Sequence, residues 1–153
     1  MRAPELESWQ LSEIADDLTM VDGSFDPIHD GHIEYLSEAK LLGLPVLCNI
    51  PPDSITSRKH PILVPQACRA RVLSSLRQVD YIHCGVISTA EVLRLLKPRF
   101  FAKGIDWLHR GGLPDEEQEI CRQFGIEIVY LNTKNTNSSS ALLKSFVERY
   151  SSI

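Results

Sequence analysis

Two histidines, His29 and His32, stand three residues apart where a short apolar run gives way to a helix-like stretch. The apolar run covers residues 18–21 and the helical pattern covers residues 33–42, so the pair falls at a predicted strand-to-helix turn. A helix N-terminus presents unpaired N–H groups and a partial positive charge, and it therefore binds phosphate readily. Two imidazoles in the same place add further hydrogen-bond donors. The pattern predicts a turn that holds a polyphosphate while charge develops on it.

The residues around the histidines fit a turn that lies close to a ligand. Gly23 permits a close backbone approach that a bulkier residue would block, and Gly31 lets a ligand come near the backbone between the histidines. Asp26 stands at the helix entry, where capping or bracing the loop is a simpler role than catalysis. A single histidine is usually a packing residue, but two at this spacing beside glycines favour a functional site.

Composition limits the class of protein. With 153 residues, 43% hydrophobic and 24% charged, the chain is typical of one globular domain. A formal net charge of -4 argues against a nucleic-acid-binding surface, and no apolar run approaches the roughly 20 residues of a membrane span. The first 17 residues do not resemble a secretory signal, and the four scattered cysteines favour buried, reduced thiols. We expect a cytoplasmic protein without nucleic-acid or membrane partners.

Strand-like and helix-like patterns alternate along the chain. The alternation predicts an α/β fold in which a parallel sheet carries helices on both faces, with ligands at the carboxyl ends of the strands. Residues 1–17 read as an N-terminal extension, either a helix over 5–14 or a loose arm, and residues 18–153 as a single domain. The predicted strands are 18–21, 46–50, 81–84, 100–102 and 126–131, and the predicted helices are 33–42, 65–76, 89–96, 114–124 and 141–150.

Four segments, in order, resemble one family. Residues 23–32, Gly-Ser-Phe-Asp-Pro-Ile-His-Asp-Gly-His, resemble the His-x-Gly-His signature of the nucleotidyltransferase (cytidylyltransferase-like) superfamily. Residues 64–81 resemble its arginine-bearing helix and following strand. Residues 97–107 resemble the Lys-Gly-Gly-Asp-Tyr segment of heptose-phosphate adenylyltransferases, and residues 137–143 resemble the Ser-Thr-Thr element of the same proteins. The class I aminoacyl-tRNA synthetases share the signature, but they need a much longer chain.

The resemblance implies a fold and a reaction. It implies a Rossmann-like, doubly wound sheet of five parallel strands in the order 3-2-1-4-5. It also implies transfer of a nucleoside monophosphate from ATP or CTP to a phosphorylated small molecule, with Mg²⁺ arriving on the nucleotide rather than in a site of its own, in a homodimer. The closest groups are the heptose-phosphate adenylyltransferases and the glycerol-3-phosphate cytidylyltransferases.

The resemblance also implies roles for particular residues. His29, His32 and Lys59 would be catalytic, and Arg69 and Trp107 would contact the acceptor. The residues expected to bind the nucleotide are Gly23, Ser24, Phe25, Asp26, Gly31, Lys103, Gly104, Asp106, Ser138, Ser139 and Ser140.

The residues themselves agree with several of these roles. Residues 138–140 are three serines before an apolar run, which predicts a second phosphate cradle, although one serine would suffice for an ordinary N-cap. Lys103 and Asp106 flank Gly104 after a strand, so both are expected to face the nucleotide unless the segment is a solvated loop. Lys59 lies in a polar loop after the second strand.

Departures from the family pattern leave the substrates open. Cytidylyltransferases carry Arg-Thr-Glu-Gly-Ile before their Ser-Thr pair, whereas residues 133–137 here are Thr-Lys-Asn-Thr-Asn, and Lys134 is a candidate for the missing charge. Ser24 and Ile105 stand where the heptose enzymes have Cys and Gly. A heptose-1-phosphate adenylyltransferase is therefore the first hypothesis. A CTP-dependent enzyme acting on glycerol-3-phosphate or a phosphonate is the second, and a non-catalytic nucleotide-binding regulator is the third.

Overall fold

A parallel sheet organises the chain in the computed structural model, which describes residues 2–14, 16–134 and 137–151. Within these residues the sheet has six strands in the order β1-β4-β3-β2-β5-β6, and every neighbouring pair is parallel. The inner strands are short and almost wholly buried, as expected where helices cover both faces. The strands are β1 (Glu5–Leu6), β2 (Thr19–Asp22), β3 (Val46–Asn49), β4 (Tyr81–His83), β5 (Phe100–Gly104) and β6 (Glu127–Leu131).

Seven helices pack around this sheet in the described residues. Apolar side chains form one cluster on each face, the first including Leu36 and Leu73 and the second including Leu93 and Ile120. The predicted doubly wound arrangement is therefore confirmed. No helix in the described part of the chain is long and apolar enough to cross a lipid bilayer. The helices are α1 (Asp30–Lys40), α2 (Asp53–Thr56), α3 (Gln66–Leu73), α4 (Thr89–Leu96), α5 (Ile105–His109), α6 (Asp115–Phe124) and α7 (Ser139–Tyr150).

The prediction of five strands was wrong by one, and the extra strand comes from the N-terminal extension. The five predicted strands do take the order 3-2-1-4-5, but β1 pairs with β4 at the edge of the sheet. The helix expected over residues 5–14 is instead this two-residue strand followed by a 3-10 turn, Ser8–Ser12. A strand of two residues is too short to show a period, and the open edge of β4 provides the backbone partners that decide its conformation.

A buried chain of hydrogen bonds fastens the extension to the sheet. The Nδ1 atom of His83 lies 2.7 Å from Asn49 Oδ1, and its Nε2 lies 3.0 Å from Ser8 Oγ. Because an amide oxygen can only accept, Nδ1 carries the proton and Nε2 accepts from the serine hydroxyl. His83 is 1% exposed, and a Cβ on Gly85 would lie 2.4 Å from its ring, so the imidazole is tightly enclosed. We conclude that the extension is an integral part of the fold.

This buried imidazole makes stability depend on pH. Burial lowers the pKa of His83 to about 4, so the folded protein keeps the ring neutral while the unfolded chain binds a proton below its usual value of 6.5. The contribution of His83 is complete above pH 6.5 and is lost as the pH falls toward 4. On going from about pH 7.5 to pH 5, the protonation of His83 in the unfolded chain lowers the free energy of unfolding by about 2 kcal/mol.

We predict that His83→Gln unfolds more easily than wild type by about 1–3 kcal/mol near pH 7.5 but loses less stability on acidification. Glutamine can form similar hydrogen bonds but does not titrate in this range. Urea unfolding of both proteins near pH 7.5 and pH 5 measures the difference. Equal acid sensitivity in the two proteins would show that the buried ring is not responsible.

Candidate active site

A cavity of about 550 Å³ opens at the carboxyl ends of β2 and β5, which are neighbours inside the sheet. Its volume lies within the usual range for small-molecule sites, about 300–1,000 Å³. Most of the predicted site residues are brought together here, from the loop after β2, the start of α1, the end of β5, α5 and the start of α7. Those that line the cavity are Gly23, Phe25, His29, Gly31, His32, Lys103, Gly104, Asp106, Trp107, Ser138 and Ser139.

The two histidines form the N-terminal cap of α1. The Nδ1 atom of His29 accepts from the backbone N–H of Gly31 at 3.1 Å, and the Nδ1 atom of His32 accepts from the backbone N–H of His29 at 3.3 Å. This reciprocal arrangement is a capping box in which imidazoles take the places of the usual hydroxyl and carboxylate. Since both Nδ1 atoms accept, each neutral ring must carry its proton on Nε2.

The pair is electrically neutral in the folded protein. Burial, and to a smaller extent the neighbouring His29, lower the pKa of His32 to about 3. Burial also lowers the pKa of His29, although the carboxylate of Asp30 opposes this. The rings stack with their centroids 3.8 Å apart, a distance at which two imidazolium ions would repel strongly. The site therefore offers two neutral N–H donors.

One of these donors has no partner in the described part of the chain. The Nε2 atom of His29 is buried there without a hydrogen bond, as are the hydroxyls of Thr19 and Thr56. An unsatisfied buried N–H is costly, typically about 1–3 kcal/mol. Because His29 also lines the cavity, an acceptor oxygen on a ligand is the natural partner for this group.

Phe25 and Gly23 hold the second histidine in place. The ring of Phe25 meets His32 edge-on with 4.9 Å between centroids. Phe25 is buried and adopts a left-handed backbone conformation, with φ of 51°. A Cβ on Gly23 would lie 3.1 Å from two carbons of this ring, so a side chain there would displace it. Gly23 therefore leaves room for the ring of Phe25 to lie against the backbone.

A buried ion pair forms another part of the cavity wall. Lys103, on β5, is 4% exposed, and its ammonium group pairs with the carboxylate of Asp22 at the end of β2. The ammonium also lies 4.3 Å from the centroid of the Trp107 ring, a cation–π distance. Asp22 in turn accepts from the hydroxyl of Thr89 at 3.2 Å. Lys103 is thus held firmly, and part of its charge is already neutralised.

The carboxylate predicted to bind ribose or base lies at the rim. Asp106 occupies the first turn of α5, and Gly104 is the N-cap residue of that helix. The Asp106 carboxylate is 3.1 Å from Arg110 Nη2 in a pair that is exposed to solvent. An exposed pair of this kind is weak, so a ligand hydroxyl could replace the arginine at little cost.

Two of the three serines expected to bind the nucleotide lie at the cavity, at the start of α7. Ser138 is the N-cap residue, since its hydroxyl accepts from the N–H of Ala141 at 3.1 Å. The hydroxyl of Ser139 donates to the carbonyl of Pro27 at 2.8 Å, which joins the start of α7 to the turn before α1. Ser140 is exposed and does not line the cavity. Ser138 and Ser139 therefore bring the N-terminus of α7 to the site.

Two predicted cations lie outside the cavity lining. Lys59 is exposed in the loop between α2 and α3, and Lys134 is exposed after β6. Asn135 and Thr136, from the stretch compared with the cytidylyltransferases, fall outside the described residues. The pKa of Glu117 is nevertheless raised to about 7, by burial first and then by the charge of Asp22, while Lys103 and Lys59 lower it. Lys59 therefore lies within electrostatic range of Glu117.

Three further expected contacts are not present in the cavity. Ser24, Asp26 and Arg69 do not line it. The carbonyl of Ser24 accepts from the guanidinium of Arg69. Asp26 is fully buried and braces that loop, the simpler of the two roles expected for it. Arg69 was expected to contact an acceptor phosphate, but its guanidinium bonds to the Asp53 carboxylate and to backbone carbonyls.

Several residues that line the cavity were missed by the sequence analysis. Tyr35 could have been found, because it follows His32 by three residues on the same face of α1. Asp22 precedes Gly23 at a strand end, where carboxylates often reach a site, but a lone carboxylate is a weak signal. The others lie in loops or in the short helix α5 and show no periodicity. The missed residues are Asp22, Tyr35, Ile105, His109, Arg110, Thr133 and Asn137.

Comparison with known sequences gives consistent matches. Residues 20–145 match the family described as cytidylyltransferase-like. The chain is 28% identical over 139 residues to the bifunctional protein HldE of Pelobacter propionicus, covering 88% of this chain and 28% of that protein. It is 35% identical over 118 residues to the bifunctional protein HldE of Helicobacter pylori strain J99, covering 74% and 25%. The chain thus spans about a quarter of the length of these relatives.

Comparison with solved structures supports the same fold. A lipopolysaccharide core biosynthesis protein from Thermoplasma volcanium superimposes with a TM-score of 0.64 and 25% identity, covering 78% of this chain and 98% of that one. The pantoate-β-alanine ligase of Francisella tularensis gives a TM-score of 0.60 at 15% identity, covering 91% and 72%. At that identity, the second likeness shows the fold alone.

Proposed function

Since the chain belongs to the cytidylyltransferase-like family, we propose that it is a nucleotidyltransferase acting on a nucleoside triphosphate and a phosphorylated small acceptor. In this reaction an oxygen of the acceptor phosphate bonds to the α-phosphorus, the bond to the β-phosphate oxygen breaks, and pyrophosphate leaves. The acceptor is already an anion near neutral pH, so no protein nucleophile or general base is needed. The protein has to align two anions and stabilise the charge that spreads over the phosphoryl oxygens.

The observation that carries this proposal is the orientation of the histidine pair. Both Nδ1 atoms are used by backbone N–H groups, and the Nε2–H donor of His29 has no partner among the described residues. The rings are neutral, so they can donate hydrogen bonds without losing a proton during the reaction. Together with the N-terminus of α1, they form a site suited to phosphate oxygens. Lys59, from the adjacent loop, would offset repulsion between the two anions.

The preferred substrates are ATP and a sugar 1-phosphate of the heptose type. This choice is supported by the similarity to bifunctional HldE proteins and by the Lys103-Gly104-x-Asp106 segment at the cavity. Trp107 offers an aromatic face beside that segment for the acceptor or the base. CTP with glycerol-3-phosphate or a phosphonate is the alternative. The CTP alternative is disfavoured because residues 133–137, just before the serines, lack the Arg and Glu-Gly that the cytidylyltransferases have there.

We propose that Mg²⁺ reaches the site on the triphosphate. Asp22 and Asp106, two carboxylates that line the cavity, are paired with Lys103 and Arg110, so the phosphates would supply most of the ligands. A bound Mg²⁺ would reduce the charge on the leaving pyrophosphate. We also propose a homodimer, which is supported by exposed apolar side chains along α7, including Phe146 and Tyr150.

Pyrophosphate release tests the function directly. We predict release with ATP and a heptose 1-phosphate, and little with CTP and glycerol-3-phosphate, in assays with Mg²⁺. Release of pyrophosphate only with CTP and glycerol-3-phosphate would show that the protein is a cytidylyltransferase. If no pair gives pyrophosphate while a melting-shift assay detects nucleotide binding, the protein is a non-catalytic regulator.

A substitution at His29 separates catalysis from helix capping. We predict that His29→Asn lowers turnover roughly a hundredfold or more, because it removes a positioned donor worth about 3 kcal/mol. Asparagine is itself a good N-cap, so unfolding should change by less than about 0.5 kcal/mol. His29→Ala, which loses the cap as well, should lower both turnover and stability. Near-normal turnover in His29→Asn would show that the imidazole of His29 does not contribute to catalysis.

A further inference from the structure

A buried carboxylate joins the loop that carries Lys59 to the turn that carries the histidines. We use the term Lys59 loop for residues 57–64 and phosphate turn for residues 23–29. Asp26, in the phosphate turn, is 0% exposed, and each of its oxygens accepts one backbone N–H from the Lys59 loop. The N–H of Leu63 donates to Oδ2 at 3.0 Å, and the N–H of Val64 donates to Oδ1 at 2.7 Å. Hydrogen bonds to a carboxylate are about twice as strong as neutral ones.

Arg69 makes the same connection from the other side. Its side chain is 1% exposed, and its Nε donates to the carbonyl of Val64 at 2.9 Å. One terminal nitrogen donates to the carbonyl of Ser24 in the phosphate turn at 2.5 Å. The other lies 2.5 Å from a carboxylate oxygen of Asp53, at the start of α2. One guanidinium therefore holds the phosphate turn, the end of the Lys59 loop and the helix that precedes it.

The Lys59 loop is held at its two ends by different contacts. At its start, the backbone N–H of Lys59 donates to the carbonyl of Thr56 in α2 at 2.9 Å. Residues 57–59 are exposed, as are Pro61 and Leu63, so the loop buries few apolar side chains. His60 is half-buried near Asp26, with its Nδ1 atom 3.9 Å from a carboxylate oxygen and 2.9 Å from the carbonyl of Pro61. A loop that buries little apolar surface depends on its hydrogen bonds, and those at its end, from Leu63 and Val64, go to Asp26 and Arg69.

We propose that Asp26 and Arg69 are positioning residues, which fix Lys59 relative to the histidine pair during nucleotidyl transfer. Neither side chain lines the cavity, so both act through the two segments that they join. This role differs from the acceptor contact that the family resemblance implies for Arg69. The inference rests on the proposed function, since it assigns Lys59 to the reacting phosphates. Small displacements of such a group are expensive, because catalysis by alignment depends on geometry.

A double-mutant cycle tests whether Asp26 acts through Lys59. We expect Asp26→Asn to lower kcat roughly tenfold and to change KM for the nucleotide by less than about twofold. In a Lys59→Ala background, the same substitution should lower kcat by less than about twofold, because the group that it positions is gone. Additive effects on kcat would overturn the proposal. If the wild-type protein shows no turnover, both the proposed function and this inference are wrong. If the wild-type protein turns over and the two effects on kcat are additive, only the inference is wrong.

Arg69→Lys provides a second variant with a matched control. Lysine keeps the charge but cannot form the planar fork that reaches Ser24, Val64 and Asp53 together, so kcat should fall in the same non-additive way. Arg71→Lys changes an exposed residue on the same helix and should leave kcat unchanged. Equal kcat in wild type and Arg69→Lys would contradict the proposal.

Hydrogen exchange shows whether the loop, rather than the whole fold, is released. In Asp26→Asn, protection of the Leu63 or Val64 amide should fall, while amides of the central strands, such as Cys48, keep theirs. Unchanged protection at both loop amides would overturn the proposal. If Asp26→Asn loses protection throughout the sheet, the kcat cycle is repeated with Arg69→Lys and Lys59→Ala, and additivity there also overturns it.

Discussion

Two backbone N–H groups at the start of α1 determine how the histidine pair can act. Each binds one Nδ1 atom, so both rings have a fixed tautomer and a fixed orientation. The same bonds cap the helix and leave Nε2–H as the group that each neutral ring can offer a ligand. Stacking and burial keep the rings neutral, which prevents mutual repulsion. Helix capping, protonation state and phosphate binding thus follow from one local arrangement, and the sequence spacing of three residues makes it possible.

The sheet order determines what surrounds this pair. Because β2 and β5 are neighbours, the phosphate turn after β2 meets the Lys103 segment at the end of β5. The Asp22–Lys103 pair joins the two strand ends directly. Charged side chains at this edge of the sheet connect segments that are distant in sequence. Asp22 pairs with Lys103, Asp26 accepts from the backbone of Val64, and Arg69 donates to the carbonyl of Ser24. Alignment of anions needs a rigid frame, and these buried contacts provide it.

Much of this architecture could be predicted from the sequence. Alternating buried strands and helices gave the parallel sheet, and the order of the five main strands was correct. The histidine turn was placed at the cavity because its residues are adjacent in the chain. In contrast, β1 depends on the open edge of β4, which is a tertiary effect. The short helices α2 and α5 are too brief to show a period.

The contacts that Arg69 and Asp26 make could not be read from the sequence. The resemblance implied an acceptor contact for Arg69 and a nucleotide contact for Asp26, although bracing the loop was the simpler role expected for Asp26. Their partners are backbone groups of the Lys59 loop and of the phosphate turn, which no side-chain pattern reveals. The Asp22–Lys103 pair is a similar case, because its members are 81 positions apart in the sequence.

The hydrogen bond between the His29 ring and the nucleotide can be measured by nitrogen NMR of histidine-labelled protein near neutral pH. Addition of an α,β-methylene triphosphate, which cannot react, should leave His29 neutral with its proton on Nε2. The Nε2–H resonance should move downfield and exchange more slowly with water. If phosphorus resonances show that the analogue is bound while the Nε2–H resonance of His29 does not change, the ring does not hold the phosphates and the account is wrong.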